Sequence, residues 1–271
     1  MTTTTLPPVS DTIAPRSKAA WAVSDALAIA HRNLIALFRV PTTLVFSTIQ
    51  PVIFVLMFRY VFGGSISVPG FPHYVDYLMP GIFVQTVTFG SINTGIGLAE
   101  DLSKGLIERF RSLAMARSAV LAGRTVADSV RNLLVIAIMV TVGFLVGFRA
   151  HRGVLALLGA VAVMLLFGFA MSWVMALIGL TTGNAEAAQA ASFPLMALLV
   201  FASNAFVSPR NMPGPLRAYA NHQPVSATVN VVRALLNHGA LAQPLFAAVA
   251  WSVAIIAVFA PLAVRRYRQT A

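Results

Sequence analysis

The chain of 271 residues is expected to fold as an all-α integral membrane protein with six transmembrane helices. Three observations carry that expectation. Mean hydropathy is +0.81. Only 10% of the residues are charged, too few to clothe a soluble domain of this size. The apolar residues gather into six stretches, roughly 42–63, 76–98, 126–148, 154–180, 188–207 and 244–264, divided by short charged segments. Each can cross about 30 Å of hydrocarbon as a helix, which satisfies its own backbone hydrogen bonds. Little chain remains for a soluble unit, so residues 17–271 read as a single membrane domain.

Residues 1–16 are rich in Thr and Pro and are expected to be disordered. Residues 17–39 fit an amphipathic helix. Lys18, Asp25, Arg32 and Arg39 recur on one face, and Ala20, Val23, Leu27, Ala30, Leu34, Leu37 and Phe38 on the other. Such a helix lies in the membrane interface with its basic face towards headgroups, or packs on another protein. Pro41 marks the turn into the first span. The polar start places that span too far along for a cleaved signal, so it is expected to be retained. The second span is the least apolar, with Gln85, Thr86, Thr88, Ser91, Asn93 and several glycines. Small and polar residues in a span face other helices, or they line a translocation path.

The net charge of +11 does not signal nucleic acid, because the basic residues sit at the ends of apolar stretches. With the N terminus inside, 13 basic residues fall on the inner side. They are Arg16, Lys18, Arg32, Arg39, Lys104, Arg109, Arg111, Arg117, Arg124, Arg131, Arg265, Arg266 and Arg268. Six fall outside: Arg59, Arg149, Arg152, Arg210, Arg217 and Arg233. Both termini are therefore expected to be cytoplasmic. One local conflict remains, since the outer turn 149–153 carries two arginines and the inner turn 181–187 none. Arg59 is expected to snorkel to the outer headgroups. Lys18 and Lys104 are the only lysines, and the preference for Arg, Ala, Val and Gly suggests a GC-rich bacterial coding sequence.

The chemistry-bearing residues exclude several classes. There is no cysteine, hence no disulfide, thiolate site or thiol catalysis. Neither lysine is followed by Ser or Thr, so no phosphate-binding loop exists and ATP hydrolysis is not expected here. His31, His73, His151, His222 and His238 are not at metal-ligand spacing, and no metal site is expected. No acid falls in the middle of a predicted span, which speaks against a proton relay. Asp128 and Arg131 stand three apart and can pair on one helical face. A lipid-modifying membrane enzyme would need acids or histidines gathered at one interface. A gradient-driven secondary transporter stays open as an alternative.

Two loops carry a family resemblance. The inner run Lys104 to Arg124, KGLIERFRSLAMARSAVLAGR, repeats Leu106, Phe110 and Leu113 at helical spacing with Glu108, Arg109 and Arg111 on other faces. It resembles the cytoplasmic loop of type-2 ABC exporter permeases, closest to the daunorubicin/doxorubicin-resistance permease subfamily. The matching positions include Gly105, Glu108, Arg109, Arg111, Ser112, Leu113, Arg117, Gly123 and Arg124, while Ala114 stands where the family usually has proline. The outer segment Phe206 to Gly239 has the family's Met212-Pro213, Gln223-Pro224 and Arg233. Pro224 suits the first turn of a short helix with Val225, Val229, Val232 and Leu236 as its apolar stripe and Gly239 at its end. The resemblance implies an interfacial first helix, a cytoplasmic coupling helix and short outer-leaflet helices.

It further implies the membrane subunit of an ATP-driven exporter of amphiphilic drugs, antibiotics or lipid-like metabolites. The partners it implies are an ABC ATP-binding subunit, a second permease chain (homodimer or heterodimer) and membrane lipids. The cofactor, ATP, would be held by the partner, and the chain would reside in a bacterial cytoplasmic membrane. The coupling loop would use Gly105, Glu108, Arg109, Arg111, Arg117 and Arg124, and Gln85, Asn93, Ser203 and Asn204 are candidates for the translocation path. Because the chain lacks cysteine, topology is open to single-cysteine labelling. Cysteines at Ser17 and Gln269 should be shielded from an impermeant thiol reagent in intact cells, and one at Ser208 should react. Outside labelling of both terminal sites would reverse the assignment.

Overall fold

The computed structural model describes residues 41–61, 68, 70, 71, 73–105 and 117–270, together with His31, Ile35 and Arg39. Among them every regular element is helical. Helix α1 spans Pro41–Leu56 and runs on into a π-helical turn, Met57–Val61. Helices α2 (Tyr74–Gly90) and α3 (Ile92–Ser103) are two halves of one rod, broken at Ser91. Then come α4 (Arg117–Leu145), α5 (Gly153–Thr182) and α6 (Ala185–Phe201). Two short helices, α7 (Gly214–His222) and α8 (Pro224–Leu236), precede the last, α9 (Ala242–Thr270).

Four helical stretches are long and apolar enough to cross a membrane among the described residues: Tyr74–Ser103, Gly123–Leu145, Gly153–Thr182 and Ala242–Gln269. They answer the second, third, fourth and sixth predicted spans. The first and fifth meet shorter apolar helices. The fifth departs most from expectation. Its helix stops at Phe201, so Ser203 and Asn204 lie in the turns beyond it rather than in the helix. The reason is local: the Ser203 hydroxyl donates to the Val200 carbonyl and accepts from the Ala205 N–H, replacing helical bonds. The predicted helix 17–39 lies outside the described residues except for His31, Ile35 and Arg39, which are helical and exposed.

Helix α5 is the central post, packed against α2, α3, α4, α6, α8 and α9. Its contact with α3 is made backbone to backbone. A Cβ on Gly95 would sit 2.5 Å from the Met175 carbonyl oxygen, and one on Gly179 would sit 2.9 Å from the Gly95 Cα. Only glycine admits that approach, which is how helices bind one another where lipid offers no hydrophobic contrast. Helix α2 is buried nearly throughout, with Leu78, Met79, Ile82, Phe83 and Val84 fully enclosed. At one end of the bundle Phe58 and Phe206 stack with centroids 5.0 Å apart, joining α1 to the chain beyond α6.

The arginines that looked misplaced in the sequence have structural work. Arg59 Nε donates to the Val146 carbonyl at 3.3 Å, so it binds the end of α4 rather than simply reaching for headgroups. Arg149 Nη1 donates to Phe144 O at 3.1 Å and Phe148 O at 3.0 Å. Arg152 Nη1 donates to Ala234 O, in the last turn of α8, at 3.0 Å. Arg59 and Arg152 sit on carbonyls at the ends of α4 and α8, where the helix dipole is negative, and Arg149 clasps the turn that follows α4. The close glycine contact is directly testable. Gly179→Ala should overpack it at about 1–3 kcal/mol and lower Tm by several degrees. Gly214→Ala, which meets nothing within 4 Å, should not; thermal unfolding of purified protein decides.

Candidate functional site

The break between α2 and α3 organises the site. In a continuous helix the Thr94 N–H would bond Gly90 O; here it turns to Ser91 O at 3.0 Å. The freed Gly90 carbonyl accepts from Arg131 Nη2 at 2.5 Å and from Asn93 Nδ2 at 3.2 Å. By helical rise Gly90 lies about 24 Å from Tyr74 and about 20 Å from Ser103, near the middle of its rod. There a carbonyl left without a donor is costly wherever lipid or protein rather than water adjoins it.

Helix α4 runs antiparallel to α3 and supplies the answering groups as a polar seam. Arg124 pairs with Asp101, and Gly97 leaves the room: a Cβ there would fall on the guanidinium. One turn on, Thr94 Oγ1 donates to Asp128 Oδ2. Asp128 Oδ1 lies 3.2 Å from Arg131 Nη1, with both side chains about nine-tenths buried. The pair anticipated from spacing is therefore present, but with a role the sequence did not disclose: Arg131 reaches past it to the broken helix. Asp128 also sits deeper than expected, about 16 Å along α4 from Arg117.

A cavity of about 110 Å³ opens beside this seam. Gln50 and Pro51 of α1 close one side, Gln85, Thr86, Phe89 and Gly90 of α2 with Asn93 of α3 another, and Arg131, Asn132 and Val135 of α4 the third. Gln50 and Asn93 are exposed and form its rim, while Gln85 is 3% exposed at its back. Among the described residues Gln85 Oε1 has no hydrogen-bond partner.

The four path candidates divide. Gln85 and Asn93 share the cavity. Ser203 and Asn204 do not line it; Asn204 belongs to a second cluster around Arg233, and Ser203 bonds locally to Val200 and Ala205. Asn204 Nδ2 donates to Asn230 Oδ1 at 2.7 Å, and Tyr77 Oη donates to Asn204 O at 2.9 Å. Arg233 Nη2 donates to Tyr77 O at 3.1 Å and Asn204 O at 3.2 Å, and its guanidinium lies 3.8 Å over the Tyr77 ring. Among the described residues no carboxylate pairs with it; carbonyls and a π face hold the charge. The signal for its burial was legible, since Arg233 follows Val229 by four and precedes Leu236 by three on the apolar stripe of α8. That stripe, Val225, Val229, Val232 and Leu236, is wholly buried. The helix starts at Pro224 as expected, with Gln223 as its cap, but ends at Leu236, short of Gly239.

Of the coupling-loop positions, Glu108, Arg109 and Arg111, with Ala114, lie outside the described residues. Gly105 closes the turn after α3 with φ +65°, a left-handed conformation that glycine adopts freely. Arg117 begins α4, and Arg124 is tied to Asp101. Among the described residues no group of three His, Asp or Glu could hold a metal ion.

This architecture, apolar helices enclosing a polar seam that starts beside a charged loop, agrees with the comparisons with known proteins. The family model for the ABC-2 type transporter matches residues 25–237. The chain belongs to the ABC-2 type transporter family. It is 36% identical over 253 residues to a daunorubicin resistance ABC transporter permease protein of Streptomyces coeruleorubidus, covering 93% of this chain and 89% of that one. It is also 31% identical over 112 residues to a doxorubicin resistance ABC transporter permease protein of Mycobacterium tuberculosis, covering 41% of this chain and 39% of that one. As a member of the ABC-2 family it is a multi-pass membrane permease, a transport subunit and not a catalytic one, of a family that pairs with an ATP-binding subunit.

The seam gives a prediction for the ABC-2 fold here. Arg131→Met leaves a buried carboxylate and the Gly90 carbonyl without their donor, at a cost of about 3–5 kcal/mol. Adding Asp128→Asn should recover part of that loss, because the amide needs no counter-charge. Thermal unfolding of the purified single and double variants reads the difference; equal losses would show that the two charges do not act as a pair.

Proposed function

We propose that this chain is the membrane half of an ATP-driven exporter that moves amphiphilic drugs, antibiotics or lipid-like metabolites out across a bacterial cytoplasmic membrane. The observation that carries the reading is the polar cavity at mid-depth, rimmed by exposed Gln50 and Asn93. An amide on the outer face of a bundle at that depth is costly against lipid. It is stable against a second permease chain or a water-filled route between two chains. The resistance named for the Streptomyces relative suggests the cargo class.

The six-span arrangement follows the same reasoning. Helix α1 with its π-helical turn, Pro41–Val61, reaches about 30 Å, enough to cross. Helix α6 reaches only about 24 Å, and the turns 202–208 complete the crossing. Their non-helical backbone is tolerable because Ser203, Asn204, Ala205 and Phe206 are buried in protein. Helices α7 and α8 then occupy the outer leaflet, and both termini are cytoplasmic.

ATP is bound and hydrolysed by the partner, since this chain has no phosphate loop. The loop through Gly105, Glu108, Arg109, Arg111 and Arg117 docks on that subunit, and its motion enters the membrane through Arg124 and Asp101, the first rung of the seam. One observation favours the rival gradient-driven carrier, the buried Asp128. Its bonds to Arg131 and Thr94 give that carboxylate a structural role in joining α4 to α3.

The joint substitution Glu108→Ala and Arg109→Ala should weaken association with the ATPase while leaving the protein inserted, because charges at an interface orient partners. Co-purification measures it. In vesicles carrying the complete complex and ATP, transport of an amphiphilic dye should persist after an uncoupler collapses the proton gradient. Transport that stops while ATP remains would establish the carrier instead.

A further inference from the structure

We propose that His151 and His238 form a two-imidazole site for a divalent transition-metal ion of the zinc or copper kind, at the junction between the α4–α5 turn and the end of α8. The inference goes beyond the transport reading and does not rest on it.

Proximity comes first. The two histidines are far apart in the sequence, and neither belongs to a ligand motif there. The fold sets their rings 6.1 Å apart between centroids, inclined at 48°. A zinc ion bonded to one nitrogen of each imidazole at about 2.0–2.1 Å stands about 3.2 Å from each ring centre. The centres are then about 5.2 Å apart at a tetrahedral angle and about 6.4 Å apart in line. The observed spacing falls inside that window, so side-chain rotation alone closes the pair on an ion. Both residues are exposed. A hydrated ion therefore reaches them and keeps water in its remaining positions.

Anchorage comes second. The His151 N–H donates to Leu236 O at 2.9 Å, and Arg152 Nη1 donates to Ala234 O at 3.0 Å, which ties the turn to α8. Asn237, the residue before His238, is fixed in its own right. Its N–H donates to Arg233 O at 2.9 Å, and its Nδ2 donates to Asp76 O at 2.9 Å. Both imidazoles thus hang from anchored backbone, and little chain freedom is lost when an ion joins them.

Charge and donor type come third. Arg149 and Arg152 flank His151 and oppose a cation. Each is already seated on carbonyls, Arg149 on Phe144 O and Phe148 O and Arg152 on Ala234 O. His238 follows the C-terminal end of α8, where the helix dipole is negative and a cation is favoured. Imidazole nitrogen suits zinc, copper and nickel, whereas magnesium and calcium take oxygen. Among the described residues no third His, Asp or Glu joins the pair, so the site is an exchangeable one rather than a closed structural centre.

The test uses the full chain, purified with an affinity tag free of histidine and washed with chelator. With one equivalent of Cu2+, the electron paramagnetic resonance spectrum should show splitting from two imidazole nitrogens. His151→Gln or His238→Gln should reduce that to one at most. Zn2+ should displace the copper at one ion per chain, and either substitution should weaken zinc binding about tenfold or more, since losing even an outer partner of a metal ligand costs 10–100-fold. Zn2+ at ten times its dissociation constant should raise the unfolding midpoint by a few degrees in the parent and in neither variant. Mg2+ should raise it in none, and His73→Gln or His222→Gln should behave as the parent. A one-nitrogen copper spectrum in the parent overturns the proposal even where a variant fails to fold. So does undiminished zinc binding in either pair variant, or a loss of binding in the His73 or His222 control.

Discussion

A helix broken inside a bilayer leaves a carbonyl that bulk water cannot satisfy, and the arrangement of this protein depends on how Gly90 O is answered. Arg131 answers it, which requires a cation within the bundle. The cation requires Asp128, and Asp128 takes its remaining bond from Thr94 on the far side of the same break. Four groups on three helices thus fix the register of α4 against α2 and α3. With that register set, Arg124 falls beside Asp101 at one end of the seam and the cavity opens at the other. The break is an origin of order rather than a defect, because each consequence of it is a bond to a neighbouring helix.

Much of the scaffold was legible in the sequence, because hydropathy over twenty-residue windows reports directly on what lipid will accept. The stretches that became α2–α3, α4, α5 and α9 were visible in this way. So was α8, through the spacing of Val225, Val229, Val232 and Leu236 behind Pro224. The early end of α6 was not. Ala205 and Phe206 carry a hydropathy window past Ser203 and Asn204, and the Ser203 hydroxyl that takes over the helical bonds leaves no trace in such an average.

The site was harder to read. Gln85 and Asn93 stood out as polar residues in an apolar run, and they do share a cavity. Ser203 and Asn204 stood out on the same grounds and belong elsewhere, Asn204 with Arg233 and Ser203 with the turn after α6. Polarity in a span signals that a residue needs a partner, but the partner comes from a helix distant in sequence: Asn204 meets Asn230, and Gln85 meets none among the described residues. Charge counting left Arg149 and Arg152 as a local conflict for a related reason. It treats a cation as a free charge facing water, whereas Arg149 holds the Phe144 and Phe148 carbonyls and Arg152 the Ala234 carbonyl.

The near absence of lysine now has a chemical side beyond codon composition. Arg131, Arg149 and Arg233 each hold two or more acceptors at once, and those acceptors diverge: a carboxylate and a carbonyl, two carbonyls four residues apart, or two carbonyls together with an aromatic face. A planar guanidinium reaches such sets with N–H groups pointing in fixed directions, while an ammonium is a compact point that must choose. Substitution of arginine by lysine, conservative by charge, would therefore be a structural lesion at these three positions and close to neutral at solvent-facing ones such as Arg265. A family drifting towards a lysine-rich composition would have to rebuild the broken helix first.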